Sequence, residues 1–453
     1  MANTETDQLV SPTGQNEDLK RTITAPLLFF YVLGDVLGSG IYALIGVMAL
    51  EVGGAFWTSF VVGVTVAMLT GFAYAELITK YPQAAGAALY VSKAFGNRFF
   101  TFVVTYFMLS ASIAAAGALA LVFGGGYFKE FIELPTTLVA IGFIVVLALL
   151  NFRGISESVK ANMLMSLVEI TGLGIVLAVG AAVLFQGDAD FSRPFEFKGD
   201  GNEMLLVLAG AALAFFSMTG FENAANVAEE TKNPNKVFPR ALLGGMAVAG
   251  VLYLLVAFIA SMVAPTDQIA GSESALLEVV KAGPIPVPGS VFAAIALVAV
   301  TNTALVALVA QSRIMYGMAR EGVVPRIFAR THASRQTPWV AIVFTTAVVV
   351  ALLVTADVER LAAVTVLFLI AVYALVCVSA LKLRKDTVDH DHYRAPTWTL
   401  YAGLVTNLGL LVNTVLDDPG AVGYAAIMVA VGLVLYVVNN LVTSKTDRQP
   451  VAR

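Results

Sequence analysis

Charge is what this sequence most clearly lacks. Only 13% of its 453 residues are Asp, Glu, Lys or Arg, while 58% are hydrophobic. An ordinary soluble domain carries about 25% charged residues. A water-soluble fold cannot hide so much apolar surface, whereas a bilayer is itself an apolar solvent. Cysteine is nearly absent as well. The single one, Cys377, sits in an apolar run, so no disulfide framework exists and no disulfide-linked subunit is expected. The three histidines, His332, His390 and His392, all fall outside the apolar runs. The string DHDH at 389–392 has no supporting ligand cluster and reads as a solvated loop, so no metal is expected. GxSxG, HExxH and the nucleotide-binding GxxxxGK[ST] are missing, which argues against a membrane enzyme and against an ATP-driven pump. With a net charge of −4, no basic surface suggests nucleic acid.

Long apolar runs are what the chain has instead. A spanning helix needs about 20 mostly apolar residues. Twelve segments qualify, near 25–50, 55–79, 98–125, 136–152, 159–186, 203–229, 239–264, 288–319, 338–356, 359–382, 397–416 and 421–443. Their connections are short and leave no room for a soluble domain; those around 187–202 and 265–287 are polar and acidic. Residues 1–24 form a polar tail without the apolar core and cleavage site of a signal peptide, expected to be disordered and cytoplasmic. Residues 444–453 form a second short tail. With both termini cytoplasmic, 22 of the 27 basic residues fall on the inner side, and only Lys129, Arg193, Lys198, Lys281 and Arg360 fall outside. One missed helix would invert every later loop and spoil that positive-inside bias. The expectation is an all-α, multi-pass protein of the cytoplasmic (inner) membrane, in contact with lipid on its outer faces.

Two of the twelve segments are interrupted. The first carries Gly38-Ser39-Gly40, and the sixth carries Ser217-Met218-Thr219-Gly220 in a similar place. Paired interruptions in corresponding segments point to an inverted-repeat transporter, with repeats at 25–186 and 203–382 and the pair 397–443 outside them. Breaking a helix in lipid is tolerated only where the freed backbone groups line a cavity or bind something. The N–H groups of Gly38, Ser39, Gly40 and Ile41 face a new helix start, which attracts an anion such as a carboxylate. The carbonyls near Phe216, Ser217 and Thr219 suit an ammonium group. An amino acid carries both charges on one carbon. Close helix packing through small residues is the structural alternative for the glycines.

Ionisable residues inside spans are costly and mark functional positions. Asp35, Glu169 and Glu222 are three such residues. Asn162, Ser166, Glu169 and Gly172 recur at helical spacing and form one small, polar stripe that should face the bundle. A carboxylate there serves as a proton carrier or as a ligand or counter-charge for sodium; a merely structural role is the alternative. Glu222 begins a polar face with Asn223, Asn226, Glu229 and Glu230 that leads to the cytoplasm. Asp35 lies one turn before Gly38, near an inner vestibule. Such an excess of acids also keeps a polyamine or other cationic amine open as the substrate. Lys232, Lys236 and Arg240 read as topology charges, with pairing to Glu229 or Glu230 as an inner gate the other possibility.

Four stretches resemble the amino acid–polyamine–organocation (APC) permease family: LGDVLGSGIYALIG at 33–46, YAELITKYPQAAGAALYV at 74–91, GFENAANVAEETKNPNKVFPRA at 220–241 and QSRIMYGMAREGVVP at 311–325. The resemblance covers roughly residues 20–440. It implies the five-plus-five inverted-repeat fold with helices 1 and 6 broken at mid-membrane. It also implies secondary active transport by alternating access, with amino acids as the imported substrate class and no cofactor beyond a coupling ion. It places an aromatic gate at Phe216, a side-chain pocket residue at Met218, and an ion-site position at Thr301 and Asn302 on helix 8. Proton-coupled relatives often hold lysine where this chain has Glu169, so the chain departs from the family pattern there; a buried carboxylate can itself take up a proton, and the ion is expected to be a proton, with sodium as the alternative. An exchanger and a nutrient sensor are the other readings of the same fold.

Overall fold

The computed structural model describes residues 23–83, 86–153, 159–199, 202–228, 230–320, 322, 324–332, 334–335 and 337–446. Most of the N-terminal tail, Glu229 and the last seven residues lie outside the described residues, and so does the side chain of Asn162. Two isolated backbone bridges aside, the regular structure among the described residues is helical. The chain opens with α1 (Ala25–Leu37), α2 (Gly40–Val52), α3 (Trp57–Lys80), α4 (Gly86–Phe95), α5 (Arg98–Gly124) and the single turn α6 (Gly126–Lys129). It continues through α7 (Thr136–Phe152), α8 (Val159–Gln186), α9 (Glu203–Ser217), a 3-10 segment (Phe221–Val227) and α10 (Pro234–Val263). The short α11 (Thr266–Ile269) and α12 (Ala275–Ala282) precede α13 (Gly289–Arg320), α14 (Trp339–Thr355), α15 (Val358–Leu383), α16 (Thr397–Asp417) and α17 (Pro419–Thr446).

Among the described residues ten helical stretches are long and apolar enough to cross a bilayer, counting Ala25–Val52 and Glu203–Val227 as one each. Thr136–Phe152 and Trp339–Thr355 are apolar helices of 17 residues, at the short end of the spanning range of about 17–25 residues. Together they occupy the twelve segments read from the sequence. The helical state follows from the solvent: lipid offers no partner to backbone N–H and C=O groups, so each segment must satisfy its own. Starts are set by local chemistry. Asn97, Asn202 and Asp357 cap α5, α9 and α15 by accepting from the N–H groups of Phe99, Met204 and Arg360.

Two elements depart from the sequence reading. Residues 86–95, which lie between the second and third apolar runs, form a helix, because Ala87, Tyr90, Val91 and Ala94 share one buried face at helical spacing. The polar connection 265–287 contains α11 and α12, which pack against α2.

The packing places the two interrupted stretches at the centre. α1 lies against α8 and α10, and α9 lies against α3 and α15. α5 packs on α13 and α15, while α13 packs on α8. The most apolar window of α15 is 83% buried and that of α17 only 17%, so α17 is peripheral. The ends of the first stretch are tied to the ends of the sixth. At one end Ile23 exchanges backbone bonds with Glu230 and Lys232, at 3.0 and 2.9 Å. At the other, Lys198 N–H donates to the Val52 carbonyl at 2.9 Å and Ala55 N–H to Glu196 at 3.0 Å.

A polar clamp holds α3 to the connection between α15 and α16. Buried Glu76 accepts two bonds from Arg384, at 3.0 and 2.8 Å, and one from Ala395 N–H at 2.8 Å. The carboxylate raises the pKa of the Arg384 guanidinium above its already high ordinary value. Lys80 Nζ donates to the Leu383 and Asp386 carbonyls at 2.5 and 2.6 Å. His390 meets the Thr79 carbonyl at 3.1 Å, so the DHDH string is anchored to α3 on one side. Removing one partner of a buried pair costs about 3–5 kcal/mol. Glu76→Ala is therefore expected to lower the melting temperature of purified protein in detergent clearly, and Glu76→Asp by less. An unchanged melting curve for Glu76→Ala would show the clamp to be energetically idle.

Candidate functional site

At the first interruption the α-helical ladder stops at Leu37 and resumes at Gly40. The backbone there is less free than the sequence suggests. Gly38 N–H donates to Gly34 at 3.2 Å, and Ser39 N–H donates to Thr303 Oγ1 at 3.2 Å. The Tyr253 hydroxyl, from α10, donates toward the Val36 and Leu37 carbonyls at 2.8 and 2.5 Å. The expectation of open N–H groups at all four of Gly38–Ile41 is corrected accordingly: Gly38 and Ser39 are engaged. Gly40 and Ile41 are the first residues of α2. They precede its first closing bond, from Ala43 N–H to the Ser39 carbonyl at 2.9 Å. Theirs, with that of Tyr42, are the N–H groups left at the positive end of the new helix.

At the second interruption α9 ends at Ser217 and a 3-10 segment begins at Phe221. Met218 N–H donates to Phe215 at 3.0 Å. The Phe216 carbonyl receives both Thr219 N–H, at 3.1 Å, and the Thr219 hydroxyl, at 2.7 Å, so it is not the open acceptor that the sequence suggests. Gly220 has φ +113°, a conformation that favours glycine, and its N–H donates to Glu222 Oε2 at 2.9 Å. Glu222 thus acts as the carboxylate cap at the start of the 3-10 segment.

The two interruptions touch. A Cβ placed on Gly40 would lie 2.5 Å from Ser217 Cα, so only glycine permits this approach. The carbonyl of Asp35 stands just as close to the Cβ position of Gly220. Below the contact is a cavity of about 1650 Å3. Gly38, Ser39, Gly40, Phe216, Ser217, Thr219 and Gly220 line its head, with Asp35 and Glu222 beside them. Its walls are one stripe of α5, running from Thr101 through Met108 to Leu119, and one of α13, from Thr303 through Ala310 to Gly317. It reaches the helix ends marked by Ile23, Asn97, Glu230 and Met318. No residue of α2 beyond Gly40 lines it, and none of α9 before Phe216. The cavity therefore lies on one side of the interruptions, the side of the α1 N-terminus.

Not every residue singled out from the sequence meets the cavity. Ile41 and Met218 are fully buried and do not line it. Thr301 turns its hydroxyl to the Leu297 carbonyl of its own helix at 2.6 Å. Glu169 and Asn302 do come together: Asn302 Nδ2 donates to Glu169 Oε1 at 3.2 Å. Glu169 is fully buried, its Oε2 has no hydrogen-bond partner, and it is walled off from the cavity. Its backbone carbonyl accepts from the Tyr42 hydroxyl at 2.8 Å, and Tyr127 donates to the Tyr42 carbonyl at 3.0 Å. Ser166 is buried on the same face, as the stripe predicts. No ion pair joins Lys232, Lys236 or Arg240 to Glu230 among the described residues. Nor is any group of three or more His, Cys, Asp or Glu placed to hold a metal ion among them.

Tyr253 and Thr303 escaped the sequence reading. Tyr253 stands in an unbroken apolar run, where a hydroxyl aimed at two distant carbonyls leaves no periodic signal. Thr303 follows directly on Thr301 and Asn302. Only its shared face with Ala307 and Ala310, the cavity wall, distinguishes it.

Comparison with known proteins agrees with this architecture. The family model described as amino acid permease matches residues 25–438. The branched-chain amino acid permease BcaP of Bacillus subtilis is 27% identical, over 97% of this chain and 97% of its own length. The methylthioribose transporter of the same organism is 26% identical over 73% of this chain and 74% of its own. The vacuolar cationic amino acid transporter 2 of Arabidopsis thaliana is 28% identical over 85% of this chain and 63% of its own. The family match spans nearly all of the described helices, and its members are transporters rather than enzymes: this multi-pass membrane chain belongs to the amino acid permease family of the APC superfamily.

Proposed function

We propose that this protein is a secondary active importer of amino acids in the cytoplasmic membrane, working by alternating access. The observation that carries the reading is the direct contact of the two interruptions, Gly40 on Ser217, at the blind end of a one-sided cavity. There the N–H groups of Gly40 and Ile41 offer positive potential to a carboxylate. The carbonyls of Ser217 and Thr219, with Asp35 and Glu222 nearby, offer negative potential to an ammonium. Because Glu222 already caps Gly220, the second helix start is neutralised. That leaves the first as the anion end and fixes the direction of the zwitterion. Phe216 sits beside the substrate position as the gate.

The packing supports an inverted repeat. α4 lies on α5, α15 and the 3-10 segment after the second interruption, and α12 lies on α13, α8 and α2 after the first. Exchanging the two repeats converts one set into the other. The same exchange relates the positions of the Ile23–Thr231 and Gly53–Phe197 bridges, although the first is parallel and the second antiparallel. The basic residues favour the cavity side as cytoplasmic, so this form faces inward and both termini are cytoplasmic.

Glu169 with Asn302 is the coupling position. A buried carboxylate with one free oxygen and a single neutral donor is suited to carry a proton across the cycle. A second substrate reading has its own observation. Among the described residues Asp35, Glu222 and Glu230 line the cavity against a single exposed cation, Arg313, a balance that favours a cationic amino acid or amine. The test is uptake by purified protein in liposomes, with labelled amino acids and amines under separate pH and sodium gradients. Saturable amino acid uptake driven by the pH gradient is expected. Uptake of amines alone selects the second reading, and no flux of either class under any gradient overturns both.

A further inference from the structure

Thr303 joins α13 to the first helix interruption. Its hydroxyl donates to the Ala299 carbonyl, one turn back in α13, at 3.2 Å, and accepts the Ser39 N–H of a helix interruption 264 residues away at 3.2 Å. It also lines the cavity head beside Gly38, Ser39 and Gly40. Ser39 N–H stands in line with those of Gly40, Ile41 and Tyr42, and the four precede the first closing bond of α2. An anion at that helix start competes for these donors. One of them is held in reserve by a side chain, and that side chain carries a hydroxyl able to donate as well as accept.

We infer that Thr303 is a carboxylate-recognition residue of the substrate site. In the substrate-free, inward-facing form its Oγ1 satisfies Ser39 N–H, which would otherwise lose its partner at a helix end. When the substrate carboxylate arrives, Ser39 N–H passes to it. The Thr303 hydroxyl then turns from the Ala299 carbonyl and donates to the same carboxylate. The helix start is thereby kept ordered when the site is empty, and it gains a charge-assisted bond when the site is full. The inference rests on the proposed placement of the carboxylate at the start of α2. It adds α13 to that end of the site and makes Thr303 a reader of the substrate's negative charge.

The test uses the full chain in liposomes, with counterflow of a labelled transported amino acid competed by the unlabelled amino acid, by its carboxamide and by the decarboxylated amine. Thr303→Val keeps the branched shape and removes the hydroxyl; Thr303→Ser restores it. Thr303→Val should weaken the amino acid roughly tenfold, the size of one lost hydrogen bond to a charged group. The amide and the amine should be weakened far less, and Thr303→Ser should return the amino acid close to wild type. Equal weakening of all three competitors, or failure of Thr303→Ser to rescue, would make Thr303 merely structural and overturn the inference. Unchanged affinity for all three in Thr303→Val would overturn it equally. A wild type that does not prefer the amino acid to its amide or amine refutes instead the carboxylate placement beneath it.

Discussion

Gly40→Ala should abolish uptake while leaving the protein folded. The added methyl meets Ser217 Cα at 2.5 Å, a backbone atom that no rotamer change can move. The two interruptions must then separate. Displacing a binding site by about 1 Å can cost 100-fold or more in rate, and a loss of that order is expected here. Gly174 on α8 is the matched control, since its Cβ position is open space. Gly174→Ala should transport like wild type. Both variants should elute as monodisperse protein, and the melting temperature of Gly40→Ala should fall only modestly. Wild-type uptake by Gly40→Ala would mean that the contact between the two interruptions is not part of the site.

Glu169→Gln should separate accumulation from exchange. The amide keeps the shape and the bond with Asn302 but neither takes up nor releases a proton. Concentrative uptake under a pH gradient should collapse to an inside-to-outside ratio of about one, as expected when the intramembrane acid is the coupling group. Counterflow of labelled against unlabelled substrate, which needs no net proton movement, should persist. Loss of both activities would make Glu169 a structural residue. Retention of pH-driven accumulation would place the coupling elsewhere. Accumulation that follows sodium in the wild type would assign the same carboxylate to sodium.

Much of this architecture was legible in the chain because lipid imposes simple rules. Twelve apolar runs give the number of segments, and two glycine- and serine-bearing interruptions mark the centre. The stripe that contains Ser166 and Glu169 faces the interior because helical spacing leaves it no other place. What stayed hidden depends on contacts between distant segments. Tyr253 reaches the Val36 and Leu37 carbonyls across more than 200 residues, and Thr303 reaches Ser39 across more still. No local pattern encodes either, and for that reason the interruptions looked more open in the sequence than they are. The α4 helix was hidden for a different reason. Its ten residues are too short for a span, and its apolar positions are mostly Ala and Tyr rather than Leu or Val.

The most direct test of the account is an experimental structure of the protein with a transported amino acid bound. The account predicts the substrate carboxylate within hydrogen-bonding distance of the Gly40 and Ile41 N–H groups. It predicts the ammonium at the Ser217 and Thr219 carbonyls, and Phe216 against the substrate. A substrate bound instead lower in the cavity, between Glu230 and Arg313, with Gly40 and Ser217 untouched, would contradict it.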